Sequence, residues 1–261
     1  MLNQKGGVGK TTTTVNVGGA LAQAGKRVLL IDLDPQGHLS LHVGIDPGEL
    51  DKSLYDLLAD DDTRADEIIH EVTPNLGVLP AEVNLAGVES ELADRVRTGE
   101  AQQVLRTKCA SLVGNFDFVF LDCPPSLGLL SINALALAGE VIVPMQAHFL
   151  ALQGLSKLLE TVQIVRRSIN PQLTVAGVVL AMHEANTVLA GEVVADLQAF
   201  LDAARDQDVP WRDAVVFQPP IRRNIKLAES PSFGQTIFDY APYCPGARDY
   251  EALAAHIASK R

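Results

Sequence analysis

Along the chain, short runs of apolar and β-branched residues alternate with longer stretches of helical periodicity. The runs Val28–Leu33, Gly77–Leu79, Phe116–Leu121, Val141–Val143 and Val175–Leu180 read as strands. They are continuously apolar rather than alternating, as expected of parallel strands covered on both faces. The periodic stretches predict helices over Lys10–Ala24, Leu85–Val96, Ala101–Val113, Leu150–Ser168, Leu189–Arg205 and Gly246–Ser259. Strand and helix in alternation predict an α/β fold, a doubly wound, mostly parallel sheet with helices on both faces. No internal repeat or low-complexity linker interrupts the pattern, so residues 1–261 read as a single domain. The acidic run Asp60–Asp62 reads as a solvated loop.

Charge narrows the function classes. The 261 residues carry 21 Lys and Arg against 32 Asp and Glu, a formal charge of −11. A protein that coats nucleic acid through bulk charge carries the opposite balance. Residues 1–150 hold 10 basic and 20 acidic side chains, and residues 151–261 hold 11 and 12, so a local basic patch belongs in the C-terminal part. Three widely spaced cysteines, Cys109, Cys123 and Cys244, form neither a disulfide framework nor a zinc pattern and fit a reducing cytosol. The N-terminus carries no signal-peptide stretch. The richest apolar window, Leu127 to Met145, is broken by Ser131, Asn133 and Glu140 and does not read as a membrane span.

The strongest chemical signal is Lys5-Gly6-Gly7-Val8-Gly9-Lys10-Thr11-Thr12. Glycines let backbone N–H groups approach phosphate oxygens, and the helix starting near Lys10 adds the positive end of its dipole. Lys10 is placed to neutralise β- and γ-phosphates, and the Thr11 hydroxyl to bind Mg²⁺. A dinucleotide loop would need glycine at Thr12. Such a phosphate loop ordinarily follows a buried strand of about five or six residues. Only Met1 to Gln4 precede Lys5, so the first strand is expected to be truncated or missing, with a short apolar segment encoded just upstream. Two further strands end in carboxylates: Val28–Leu33 runs into Asp32 and Asp34, followed by Pro35-Gln36-Gly37, and Phe116–Leu121 into Asp122, followed by Cys123-Pro124-Pro125. Sites of open parallel sheets lie at such strand ends. Asp122 fits a carboxylate that holds Mg²⁺ directly or through water. Cys123 reads as a small buried filler rather than a redox centre. No strong general base is evident, so hydrolysis is expected to be slow, which suits a switch better than a metabolic enzyme.

Gln4 stands where the common phosphate-loop pattern has its first glycine, and Lys5 is an added lysine. In this the loop resembles the deviant Walker A box of the ParA/MinD class of P-loop ATPases. The resemblance implies ATP and Mg²⁺ as cofactors and a homodimer formed on ATP binding, with Lys5 reaching the partner's phosphates. It implies that Asp34 positions the attacking water and Asp32 supports the metal site. Val143–Gln146, Ala151–Leu155 and above all Ile221–Gly234 resemble the Soj-type partition ATPases. That likeness implies an ATP-bound dimer that binds DNA without sequence preference and is released by hydrolysis stimulated by a ParB-type partner, in the cytoplasm on the nucleoid. Arg222, Arg223 and Lys226 are the candidate DNA contacts, and Arg166 and Arg167 extend the patch. Asn186 stands where relatives often have an arginine; His148 and Gln153 stand where they often have glutamate.

Four rival readings are weaker. A MinD-like membrane-cycling ATPase needs a free C-terminal amphipathic helix, whereas Tyr250, Leu253, Ala254 and Ile257 form a stripe suited to core packing. An iron–sulfur electron carrier needs cluster-bridging cysteines, and a His38/His42 metal site lacks further ligands. A non-hydrolysing nucleotide-binding scaffold is opposed by the full set Lys5, Lys10, Thr11, Asp34 and Asp122.

Overall fold

A computed structural model describes residues 1–96, 99–148, 151–184 and 188–260, without the side chains of 94, 96, 151, 188 and 189. In chain order its longer elements are α1 (Lys10–Gln23), β1 (Val28–Asp32), α2 (His38–His42), α3 (Leu54–Ala59), β2 (His70–Thr73), β3 (Leu76–Leu79), α4 (Val88–Glu91), α5 (Ala93–Val96), α6 (Val104–Val113), β4 (Phe118–Asp122), α7 (Leu129–Leu137), β5 (Glu140–Met145), α8 (Ala151–Ser168), β6 (Thr174–Leu180), α9 (Val188–Asp202), β7 (Val215–Val216), α10 (Ile225–Glu229), α11 (Ile237–Tyr240) and α12 (Pro245–Ala258). The strands form two half-sheets, β2-β3-β1-β4 and β5-β6-β7, in which every pairing but the β2–β3 hairpin is parallel.

Residues 1–3 occupy the gap between the halves. The Met1 amino group donates to the Leu121 carbonyl, and the Cys123 N–H donates to the Met1 carbonyl at 3.3 Å. On the other side the Leu2 N–H donates to Ile142 O at 3.1 Å and Asn3 Nδ2 to Pro144 O at 2.8 Å. Residues 1–3 thus bond to β4 and to β5 at once.

Helices cover both faces. All five residues of β1 are buried, which is why VLLID carries no alternation. Helix α1 is buried along most of its length between the sheet and α12. Its Gly18 makes the close approach possible: a Cβ there would sit 2.7 Å from Leu30 Cδ2. Its buried polar side chains are matched: Asn16 Nδ2 donates to Thr12 O at 2.8 Å, Asn16 Oδ1 accepts the Ile237 N–H at 2.8 Å, and Thr13 Oγ1 lies 3.2 Å from the Tyr250 hydroxyl. The stripe Tyr250, Leu253, Ala254 and Ile257 is buried, so α12 spends its apolar face on the core. No described helix is long and apolar enough to cross a membrane.

One expectation needed adjustment. The helix predicted over Leu85–Val96 is a 3₁₀ turn, Val83–Gly87, followed by the short α4 and α5. Leu85, Val88 and Leu92 are buried as the periodicity implied, but a spacing of three satisfies a 3₁₀ turn as well as an α-helix. The apolar window that did not read as a membrane span contains α7, most of which is buried, with its Ser131 and Asn133 side chains bonded to backbone carbonyls. Leu150, the expected start of α8, lies outside the described residues.

Asn16 tests this packing. Asn16→Ala removes the acceptor of the buried Ile237 N–H, and we expect it to cost about 1–3 kcal/mol in denaturant-induced unfolding, with the m-value unchanged.

Candidate functional site

The phosphate loop is shaped by its glycines. Gly7 and Gly9 have φ of 69° and 87°, a left-handed conformation that L side chains rarely adopt. A Cβ on Gly6 or Gly7 would meet nothing within 4 Å, so the loop borders open space. Gly9 immediately precedes α1 and supplies no side-chain cap, which leaves the first N–H groups of that helix for an anion. Val8 is buried and fixes the loop to the core, while Lys5 is exposed at its rim. Lys10 is buried, with Nζ 3.2 Å from the Lys5 carbonyl that accepts its hydrogen bond. Burial lowers its pKa, while the charges of Asp122 and Asp34 act to raise it. A buried cation beside an open glycine cradle is a receptor for negative charge.

The carboxylates stand at adjacent strand ends, Asp32 on β1 in register with Asp122 on β4. Asp122 is gripped by the first turns of α1: Thr11 Oγ1 donates to Oδ2 at 2.6 Å and Thr14 Oγ1 to Oδ1 at 3.2 Å. Burial raises its pKa, and the two hydroxyls, the chain's amino terminus and Lys10 oppose the rise. A threonine hydroxyl against a carboxylate at the foot of a phosphate cradle is a donor set that suits Mg²⁺, which takes one or two protein ligands and completes its shell with phosphate oxygens and water. Thr12 lies one position further along α1 and borders the same cleft.

For Asp32 the resemblance implies a part in supporting the metal site. Asp32 is wholly buried, and Oδ2 accepts both the N–H and the hydroxyl of Ser40 at 3.0 and 2.8 Å, while Oδ1 accepts the Asp34 N–H at 3.2 Å. Burial, with the Asp122 charge beside it, pushes its pKa up to about 7. Its oxygens are spent on the loop after β1, so Asp32 anchors that loop and delivers Asp34. Asp34 lines the cleft, and its Oδ1 accepts the Gln36 N–H at 3.0 Å.

The cleft has a volume of about 630 Å³ and is bordered by the glycine loop, Lys10, Thr11, Asp34, His38, His42, Pro125 and Ser232. It shares Gly9, Thr12, Met182 and Pro231 with a neighbouring, mainly apolar cavity of about 540 Å³ bordered by Ile221, Ile225, Leu227 and Tyr250. The pair offers a polar half at the loop and an apolar half at the ends of β6 and α10. No single motif announces the apolar half, because its walls come from three distant segments.

The basic residues are not free charges. Arg222 forms two hydrogen bonds of 2.7 Å to Asp249, whose side chain is only 3% exposed. Arg223 pairs with Glu184 at 3.0 Å, Lys226 with Glu229 at 2.8 Å, and Arg166 with Asp208 at 3.4 Å. Asn186 lies outside the described residues. Cys123 is buried, and burial pushes its thiol up to about 11, in keeping with a filler.

His42 is buried under the cleft, 3.5 Å from Ser230 Oγ, and burial pushes its pKa down to about 4. The folded protein keeps it neutral where the unfolded chain protonates it, near its ordinary 6.5. Its contribution to stability is therefore complete above pH 6.5 and is lost as pH falls toward 4. Denaturant titrations across that window should give His42→Gln a shallower pH slope than the native chain.

Comparison with known proteins agrees with this geometry. A family model described as an AAA domain matches residues 1–175. The chain is 42% identical to the sporulation initiation inhibitor protein Soj of Bacillus subtilis, over 98% of this chain and 96% of that protein. It is 40% identical to the chromosome partitioning protein ParA of Caulobacter vibrioides, over 99% and 92%. Among solved structures it resembles a Mycobacterium smegmatis protein titled cobyrinic acid a,c-diamide synthase, crystallised with an ATP analogue and magnesium, with a TM-score of 0.81 and 35% identity over 100% of this chain and 94% of that one. A deviant phosphate loop on a P-loop fold, with likeness to Soj and ParA over nearly its whole length, places this chain in the ParA/Soj family of partition ATPases.

Proposed function

We propose that the protein is an ATP-dependent DNA-segregation ATPase, working as a nucleotide switch for chromosome or plasmid partition. The observation that carries this reading is the grip of Thr11 and Thr14 on Asp122 beside the buried Lys10. The N–H groups of residues 6–12 would take the phosphates of ATP and Lys10 would neutralise them, while Thr11 and Asp122 would hold Mg²⁺, with Asp32 supporting the site. The apolar cavity beside the loop takes the base. Magnesium would supply charge neutralisation at the transferred phosphoryl group; the chain's own residues orient and enclose it.

Asp34 orients the attacking water. It is a weak base, so turnover is slow until a ParB-type activator acts. Lys5, exposed at the rim, reaches the phosphates of a second protomer, so ATP drives dimerisation. The dimer holds DNA without sequence preference through Arg222, Arg223 and Lys226, with Arg166 and Arg167 extending the patch. Because the first three are already paired with carboxylates, phosphate must displace those partners, and binding is weak and releasable. The protein then works on the nucleoid in the cytoplasm.

Two sets of measurements test the reading. Titration with a fluorescent ATP analogue should show Lys10→Ala losing binding by more than about tenfold. Asp34→Ala should keep ATP and the dimer while hydrolysis falls by about 100-fold or more, and Lys5→Ala should bind ATP as a monomer in analytical ultracentrifugation. Undiminished ATP binding by Lys10→Ala, together with native hydrolysis by Asp34→Ala and native dimerisation by Lys5→Ala, would remove the switch.

The second concerns DNA. Retention with ATP should weaken as salt rises, and Arg223→Ala should lower the slope of log K against log[salt] by about one. Arg222→Ala should in addition lower thermal stability, because it strips the partner from the buried Asp249. A salt-independent signal, or one indifferent to nucleotide, would count against partition.

A further inference from the structure

We propose, on the footing of the ATP reading above, that Gln146 is a positioning residue of the nucleotide site: its side-chain amide ties the glycine loop to Met182 and so fixes the wall between the phosphate cleft and the apolar cavity. Strand register brings the parts together. Met145 and Leu180 stand side by side at the ends of β5 and β6, and the Ala181 N–H donates to the Met145 carbonyl at 2.8 Å. Gln146 and Met182 therefore leave the sheet as near neighbours, beside the loop that precedes α1.

Met182 needs a hold. With φ of 49° it is the one non-glycine residue with positive φ among those described. An L side chain adopts that conformation only where its surroundings impose it. Met182 borders both cavities and is 42% exposed. A Cβ on Gly9 would lie 3.8 Å from its Cε, so its methyl end rests against the loop. Gln146 supplies the hold: Nε2 donates to Met182 Sδ at 3.1 Å and to the Gly7 carbonyl at 3.1 Å. Gly7 is itself left-handed, with φ of 69°. One amide thus pins two unusual backbone positions, one in the phosphate loop and one in the cavity wall.

The surroundings also fix which way the amide faces. A carbonyl oxygen and a thioether sulfur only accept, so the amide nitrogen faces Gly7 and Met182. Its oxygen then faces His148, whose Nε2 lies 2.6 Å away and donates. Gln146 is only half-buried, yet both its nitrogen and its oxygen are engaged. Holding a long surface side chain in one geometry costs entropy and buries little. What the amide controls is the seam between the two halves of the site. Gln146→Glu would turn a negative oxygen toward the Gly7 carbonyl and the cradle for phosphates.

The test compares the native chain with Gln146→Leu, Gln146→Glu, Met182→Leu and the Gln146→Leu/Met182→Leu pair, by titration with a fluorescent ATP analogue, steady-state hydrolysis and thermal unfolding. Gln146→Leu should weaken binding by about tenfold and raise KM by a larger factor than it lowers kcat, with Tm within about 2 °C of native. Gln146→Glu should bind more weakly still. The loss caused by Gln146→Leu should be smaller in the Met182→Leu background, because the sulfur is then already gone. A loss of the same size in both backgrounds overturns the tie through Met182. Native affinity in Gln146→Leu, or a lowered Tm with native KM, overturns the positioning role alone. No ATP binding by the native chain overturns the ATP reading, and this role with it.

Discussion

The carboxylate of Asp122, held at both oxygens by Thr11 and Thr14, is the tie on which the site depends. It joins the end of β4 to the first turns of α1 and so sets the glycine loop against the sheet. A buried carboxylate in such a place is unfavourable unless its lone pairs are satisfied. The two hydroxyls satisfy it from the helix whose N-terminus faces the phosphates. The same contact that stabilises the fold thereby brings together a hydroxyl, a carboxylate and a lysine, the set a magnesium nucleotide requires.

A second constraint lies one strand away. Asp32 and Asp34 are two residues apart, yet their environments assign them different work. Asp32, wholly buried and bonded to Ser40, is a structural anchor with a strongly raised pKa. Asp34, just past the end of β1, borders the cleft. Asp32 accepts the Asp34 N–H, so the position of Asp34 at the cleft follows in part from the burial of Asp32.

Charge is handled in a similar way. The chain is strongly acidic, and its candidate DNA-contacting cations are each matched by a carboxylate within the fold. For Arg222 the match is with a buried Asp249 and has a structural consequence, whereas Arg223 and Lys226 pair at the surface, where such bonds are weak and exchangeable. An acidic protein can in this way keep a latent cationic face whose strength depends on salt and on the state of the rest of the molecule.

The local chemistry was legible from residue order. Gly7 and Gly9 need positive φ, Lys10 and Thr11 follow from the helix start, and VLLID reads as a strand buried on both faces because every position is apolar. What residue order could not supply was contact between distant segments. It did not show that Ser40, brought back by α2, bonds to Asp32. It could not reveal that Arg222 is clamped by Asp249 on α12, or that Met182, Ile221 and Tyr250 enclose an apolar cavity beside the loop. The sequence by itself determined the elements and the phosphate-binding motif, since both rest on local backbone preference and periodicity. Only the tertiary structure decided which charges are paired and which side chains are spent on the fold, because those depend on burial and on partners far away along the chain.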